Sequence, residues 1–249
     1  MTTSDQRTAA ALLVGTELLT GSVQDRNLVE LARALRTLGI ALVRAVVVGD
    51  DIDVIATEVK DLSARVDVVF TSGGVGPTHD DVTIEAVAKA FGVGTIVDDR
   101  MKRALEQHYG APLSPDYLRM AKVPQGACLQ MGPDQSWPTI VKENVWILPG
   151  VPNIFRHKLD VIRAHLHGPV AFRRAVVSCS LDELSLLAQL DGTVAKFPNV
   201  FVGSYPKASP ADPPTKVTFD GTDATEVENA TQHFLDLLPD GCLLAIERT

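Results

Sequence analysis

Basic residues are the scarcer charge in this chain: 23 Lys and Arg face 31 Asp and Glu, for a formal net charge of −8. A nucleic-acid partner needs a basic surface that releases counterions from the phosphate backbone, so this balance argues against one. Cysteine is also rare. Cys128, Cys179 and Cys242 are far apart and show no paired spacing, which suggests neither a zinc site nor a disulfide framework and makes a reducing cytoplasm the expected compartment. No apolar run approaches membrane-spanning length, and the polar stretch Met1 to Thr8 lacks the core of a signal peptide. Those residues read as a flexible tail. Aromatics make up only 5% of the chain against 45% hydrophobic residues, so the core must be aliphatic. There are no internal repeats, and 249 residues hold one large or two modest domains.

The richest stretch runs from Thr71 to Thr83, TSGGVGPTHDDVT. It follows a near-continuous apolar run, Val66 to Thr71, as expected of a parallel strand covered on both faces, and it leads into a helix over Val82–Phe91. Gly73, Gly74 and Gly76 remove the Cβ atoms that would keep a ligand off the backbone, so amide N–H groups can point at phosphate oxygens beside a helix start. Asp80 and Asp81 complicate that arrangement, because carboxylates there would repel a phosphate arriving alone. A divalent cation resolves the conflict, since magnesium takes one or two carboxylates together with substrate phosphates. The alternative is that both acids merely cap the helix.

From Thr8 to about Gly168 apolar strands alternate with amphipathic helices. Strands are expected at Ala9–Val14, Ala41–Val48, Val66–Thr71 and Val145–Leu148. Helices are expected on the Leu28–Leu38 face and over Ile52–Ala64, Val82–Phe91, Asp99–Tyr109 and Asn153–His165. Five prolines between Pro112 and Pro138 make the Val97–Asn144 segment an irregular excursion near a site. After Pro169 the pattern becomes strand Phe172–Cys179, helix Leu181–Leu190, strands Val200–Tyr205 and Lys216–Asp220, helix Thr225–Leu238 and strand Leu243–Ile246. The expected architecture is therefore α/β, a doubly wound mostly parallel sheet over 9–168 after a tail at 1–8, with a second, smaller α+β domain over 169–249.

In such a sheet ligands bind beyond the carboxyl ends of the strands. Gly15, Thr16 and Glu17 follow the first strand, with Asp25 and Asn27 before the next helix; Asp50 and Asp51 follow the second; Pro149 and Gly150 close the last. Several carboxylates converging on one edge are costly unless a cation neutralises them. Taken singly, Asp25, Asn27, Asp50 and Asp51 read more readily as helix caps than as ligands, and Pro149-Gly150 reads equally well as a rigid turn. Glu17 lies between a glycine and two leucines, where burying a charge would need a partner. His79 sits beside the acids without a visible partner, and His108, His157, His165 and His167 read as surface residues. No Ser-His-Asp arrangement is recognisable.

Gly15-Thr16-Glu17-Leu18-Leu19-Thr20-Gly21 with Asp25 and Asn27, the Ser72–Thr83 loop, and Leu148-Pro149-Gly150-Val151-Pro152 together resemble the molybdopterin-binding-like domain family. That domain occurs in molybdenum-cofactor biosynthesis proteins, CinA proteins and the N-terminus of FAD synthases. The resemblance covers about Ala9 to His165 and is strongest to the FAD synthase branch, and the region after Pro169, with Gly203-Ser204-Tyr205-Pro206, resembles the small domain that follows there and in CinA proteins. It implies divalent-metal-dependent hydrolysis of a pyrophosphate bond in an adenine-containing dinucleotide, FAD or ADP-ribose, releasing AMP and a second phosphate ester. Asp50 and Asp81 match acidic positions that serve the metal, expected to be magnesium, manganese or cobalt. Glu17, Asp25 or Asp80 would orient the attacking water. Gly73, Gly74 and Gly76 would cradle the diphosphate, Ser72, Thr78 and Thr83 would add hydroxyl contacts, and Gly15, Thr16, Asn27, Pro149 and Gly150 would complete the substrate surface. The competing expectations are a non-catalytic molybdopterin or nucleotide carrier and an adenylyltransferase of molybdenum cofactor synthesis. The expected partner is a small dinucleotide or pterin, with neither nucleic acid nor membrane, and the expected assembly is a homo-oligomer.

Overall fold

Alternation along the first strand sets the layering. The computed structural model describes residues 6–133 and 137–248, so most of the expected tail lies outside the described residues. In β1 (Thr8–Val14) every residue after Thr8 is buried. Ala10, Leu12 and Val14 enter one apolar cluster, and Ala9, Ala11 and Leu13 enter another. Successive strand residues point to opposite faces, so a strand covered on both sides presents no polar face.

The chain continues through α1 (Thr16–Leu19), α2 (Asn27–Thr37), β2 (Ala41–Val48), α3 (Ile52–Arg65), β3 (Val68–Ser72) and α4 (Thr83–Ala90). Then come β4 (Thr95–Val97), α5 (Asp99–Tyr109), α6 (Pro115–Arg119), β5 (Lys122–Pro124), β6 (Cys128–Gln130), β7 (Thr139–Lys142), β8 (Val145–Leu148) and α7 (Pro152–His165). The main sheet has the order β2-β1-β3-β8-β7-β6. Its first four strands are parallel and its last two antiparallel. Helices α3, α4 and α5 cover one face through Ile55, Val59, Ile84, Val87 and Leu105, while α2 and α7 cover the other through Leu31, Leu35, Phe155 and Ile162. Phe155 is fully buried; truncating such a ring to alanine costs about 3–5 kcal/mol through lost burial and the cavity left behind.

One expectation changes here. The Val97–Asn144 segment is more than an irregular excursion: it supplies β6 and β7 to the main sheet and β5 to the separate pair with β4. β2 is an edge strand, its outer side unpaired among the described residues, and Val43 and Val47 on one of its faces are exposed.

Tertiary contacts divide the chain after Pro169. The second unit contains β9 (Arg173–Cys179), a 3-10 turn at Leu184–Leu186, α8 (Leu187–Lys196), β10 (Phe201–Pro206), β11 (Thr215–Gly221), α9 (Ala224–Asp236) and β12 (Leu243–Arg248). Its antiparallel sheet has the order β10-β11-β9-β12. It packs a core of its own around Val177, Val217, Phe219 and Phe234. The helix expected at Leu181–Leu190 is displaced toward the C-terminus. Asp182 accepts from the Ser185 N–H at 2.9 Å and opens a 3-10 turn, and the α-helix then runs through Gly192 because Thr193 is fully buried beyond it. Packing there outweighs the roughly 1 kcal/mol that a mid-helix glycine costs. Among the described residues no helix is long and apolar enough to cross a membrane.

Candidate functional site

Strand order creates a gap before any side chain is considered. From β1 the chain crosses to β2 through α2, whereas from β3 it leaves toward α4 on the opposite face, and β1 and β3 are neighbours. Diverging connections open a crevice at the carboxyl ends of the two strands. Gly15 follows β1, and Gly73 and Gly74 follow β3. At Gly73 the backbones touch: its N–H donates to the Leu148 carbonyl at 3.1 Å, its φ is +109°, and a Cβ would stand 2.1 Å from the Val14 carbonyl oxygen. Only glycine fits there.

Several of the expected ligand side chains are occupied in bracing these loops. Asn27, 4% exposed, donates its amide to Ser72 Oγ at 3.0 Å and to the Gly150 carbonyl at 2.7 Å. Thr83 is fully buried; its hydroxyl donates to the Gly73 carbonyl at 2.8 Å and its N–H to the Gly74 carbonyl at 2.9 Å. Asp25 accepts from the Leu28 N–H at 2.9 Å and so caps α2. The Thr16 N–H donates to Asp50 Oδ2 at 2.8 Å, and the Thr16 hydroxyl accepts from the Asp50 N–H at 3.4 Å. Asp51 is the cap of α3, accepting from the N–H groups of Asp53 and Val54. Neither Asp80 nor Asp81 caps α4, whose N-cap is Val82 without a side-chain bond. Asp81 instead accepts from the Thr78 N–H at 2.8 Å and from the Thr78 hydroxyl.

A cavity of about 980 Å³ opens beside these loops. Gly15, Glu17, Asp50, Gly73, Gly74, Gly76, Asp80, Asp81, Pro149 and Gly150 line it; Thr16, Asp25, Asn27, Ser72, Thr78 and Thr83 do not. Glu17 is exposed, so the cost of burying its charge does not arise. The Thr78 hydroxyl, followed by the backbone N–H of Asp80 itself, holds the exposed Asp80 carboxyl below its usual range. With one proton to give, that hydroxyl cannot serve Asp80 and Asp81 at once; the hydrogen-bond geometry gives it to Asp81, which leaves the backbone N–H of Asp80 to lower the Asp80 carboxyl.

The remaining wall comes from residues that sequence reasoning left aside. Met101, Ala104, His108 and Tyr109 of α5 line the cavity, with Arg119, Trp137, His157 and Lys158. Lys158 is 4% exposed and its ammonium donates to the carbonyls of Trp137 and Pro138. A signal for it existed: Lys158 lies within the apolar stripe Phe155, Leu159 and Ile162 of α7, where an unpartnered lysine would be costly. His108 is exposed, as expected from the sequence, but at seven residues beyond buried Met101 it lies on the same side of α5 and borders the cavity.

Among the described residues no group of three or more His, Cys, Asp or Glu side chains is arranged to hold a metal ion. Asp50 and Asp81 nonetheless line the same cavity. Both are carboxylates, the donor type that a hard cation takes together with substrate oxygens and water.

The family described as "Probable molybdopterin binding domain" matches residues 10–167, and that described as "FAD synthase, middle domain" matches 171–247. A protein of Archaeoglobus fulgidus is 30% identical over 91% of this chain and 96% of its own length. The "Probable FAD synthase" of Caenorhabditis elegans is 30% identical over 94% of this chain, which spans 50% of that longer protein. A "CinA-like protein" of Myxococcus xanthus is 40% identical over 60% of this chain and 37% of its own. Among solved structures, the CinA protein of Thermoplasma acidophilum, described as of unknown function, aligns with a TM-score of 0.59 at 32% identity, covering 65% of this chain and 98% of that one. With its first match covering the whole parallel-sheet unit, the chain belongs to the molybdopterin-binding domain family, in a CinA-like form followed by a segment similar to the FAD synthase middle domain.

Proposed function

We propose that the cavity binds an adenine-containing dinucleotide, FAD or ADP-ribose, and hydrolyses its pyrophosphate bond with a divalent cation, releasing AMP and a second phosphate ester. The observation that carries this reading is that glycine backbone and four carboxylates, Glu17, Asp50, Asp80 and Asp81, line one cavity with room for a whole dinucleotide. Backbone N–H groups of Gly74 and Gly76, where no Cβ intervenes, orient the diphosphate, while Gly73, whose own N–H is taken by the Leu148 carbonyl, lets the loop run close against Val14. Asp50 and Asp81 would hold magnesium, manganese or cobalt, which when bound offsets the negative charge developing on the bridging oxygen. Asp80 or Glu17 accepts the proton of the attacking water. Asp25, occupied in capping α2, is left out of that role. Arg119 and Lys158 add positive charge to the same wall. The FAD synthase and CinA names of the relatives support a nucleotide substrate.

A carrier of molybdopterin or a nucleotide is the second reading, supported by the family's description as a probable molybdopterin binding domain. Pterin adenylylation would use the same loop in the direction of bond formation. Incubating the metal-stripped protein with FAD, ADP-ribose and NADH, with and without each cation, separates the three. Metal-dependent AMP is the expected product; tight binding without product from any substrate overturns hydrolysis, and pyrophosphate-bond formation from ATP and a pterin identifies the transferase.

A further inference from the structure

We propose that Tyr109 and Trp137, held by His108, form the subsite that receives a planar heteroaromatic ring of the ligand, so that the cavity selects a nucleotide or flavin over a bare sugar phosphate. This deepens the reading above and rests on the same cavity. Aromatic side chains are scarce in this chain, 13 in all, and most of the large ones sit in the cores, among them Phe70, Phe155, Phe219, Phe234 and Trp146. Tyr109 and Trp137 instead flank His108, with Tyr117 stacked on Tyr109. The His108 ring packs T-shaped against Tyr109 at 4.6 Å and against Trp137 at 6.0 Å, and Tyr117 stacks on Tyr109 at 4.3 Å with 21° between planes. Tyr117 does not line the cavity, whereas His108, Tyr109 and Trp137 do. Tyr109 is thus backed by one ring and still 45% exposed. Such a cluster has apolar area and π-faces to offer, which a planar heterocycle can cover.

The glycine loop and these rings line the same cavity. A nucleotide or flavin carries its phosphate and its ring at opposite ends of a pentose or ribityl chain, so one ligand can set its phosphate at the glycines and its ring against the aromatics.

The test compares AMP and FMN with ribose 5-phosphate, which keeps the sugar phosphate and lacks the ring, by titration calorimetry in the presence of magnesium. The ring compounds are expected to bind roughly tenfold or more tightly than ribose 5-phosphate, as one stacking contact provides. Tyr109→Ala and Trp137→Ala should each erase most of that advantage, and Trp137→Phe should keep it. Unchanged emission from core residue Trp146 certifies the fold in the Trp137 variants. Equal binding of all three ligands overturns the proposal, as does a ring advantage that survives both alanine variants. Ring preference without AMP release from a dinucleotide leaves the subsite standing and removes the hydrolase, whereas turnover with KM unchanged in both alanine variants does the reverse.

Discussion

Asp81 carries two duties that a single substitution can separate. Its carboxylate accepts from Thr78, which shapes the loop, and it lines the cavity, where the proposed cation would sit. Asp81→Asn keeps an oxygen for the Thr78 N–H and removes the charge. We expect AMP release to fall at least about 100-fold while thermal stability stays near that of the wild type; a normal rate would remove Asp81 from the metal site. Gly73 tests the backbone contact. With φ at +109° and a Cβ standing 2.1 Å from the Val14 carbonyl, Gly73→Ala should cost at least about 3 kcal/mol in urea unfolding, since the atom it meets is backbone and cannot swing aside. Cys179 is a thiol whose burial, with Cys242 adding to it, pushes its pKa up to about 11. It should therefore stay protonated and unlabelled by a thiol reagent at pH 8 while exposed Cys128 reacts at once.

Among the elements, α5 links stability to the site most directly, because it carries Met101, Ala104, His108 and Tyr109 along the cavity. Its N-cap is Asp98, which accepts from the N–H groups of Arg100 and Met101. The Arg100 side chain, bonded to the same carboxylate, is the main cause that holds Asp98 below its ordinary pKa. A depressed carboxylate stabilises the fold above its unfolded pKa, near 4, and loses that contribution as pH falls through the lower folded value. Melting curves should accordingly show the Asp98 contribution intact at neutral pH and lost only in acid below about pH 4. Asp98→Ala should lower stability by about 1 kcal/mol at pH 7, and Asp98→Asn, which can still cap, by less. The same element shows what pattern can and cannot reveal. Asp98 followed by the spaced Met101 and Leu105 announces a helix, but nothing in that pattern says that its far end meets Trp137, whose ring lies 29 residues further along the chain. β6 and β7 are hard to read for different reasons: β6 is three residues long and reaches its partner across eight residues, whereas β7 is four residues long and pairs locally with β8 through the two-residue turn Glu143-Asn144.

At the scale of the whole chain, each unit has its own core: two clusters flank the parallel sheet, and a third lies against the antiparallel one. A unit that buries its own core can fold alone. A chain ending at Pro169 should therefore unfold cooperatively and retain binding of AMP, judged by calorimetry; an unfolded fragment would show that the parallel-sheet unit depends on the rest. The sequence by itself determined the layering of the first unit, because runs such as Ala9–Val14 leave a strand no polar face and spaced apolar residues leave a helix one direction in which to bury. It also pointed to glycines and acids gathering at one sheet edge, since parallel strands all end at the same edge whatever their order and the residues after each strand are local. Tertiary structure alone decided which of those residues face a ligand. Asn27 and Thr83 had the same local credentials as Asp50 and Asp81, but in the fold their polar atoms satisfy buried backbone and side-chain partners, where an unmet hydrogen bond would cost more than a ligand contact could return. It alone decided, too, that His108, Tyr109 and Trp137 would share a wall, because residues distant in sequence come together only once the two faces of the sheet have been covered.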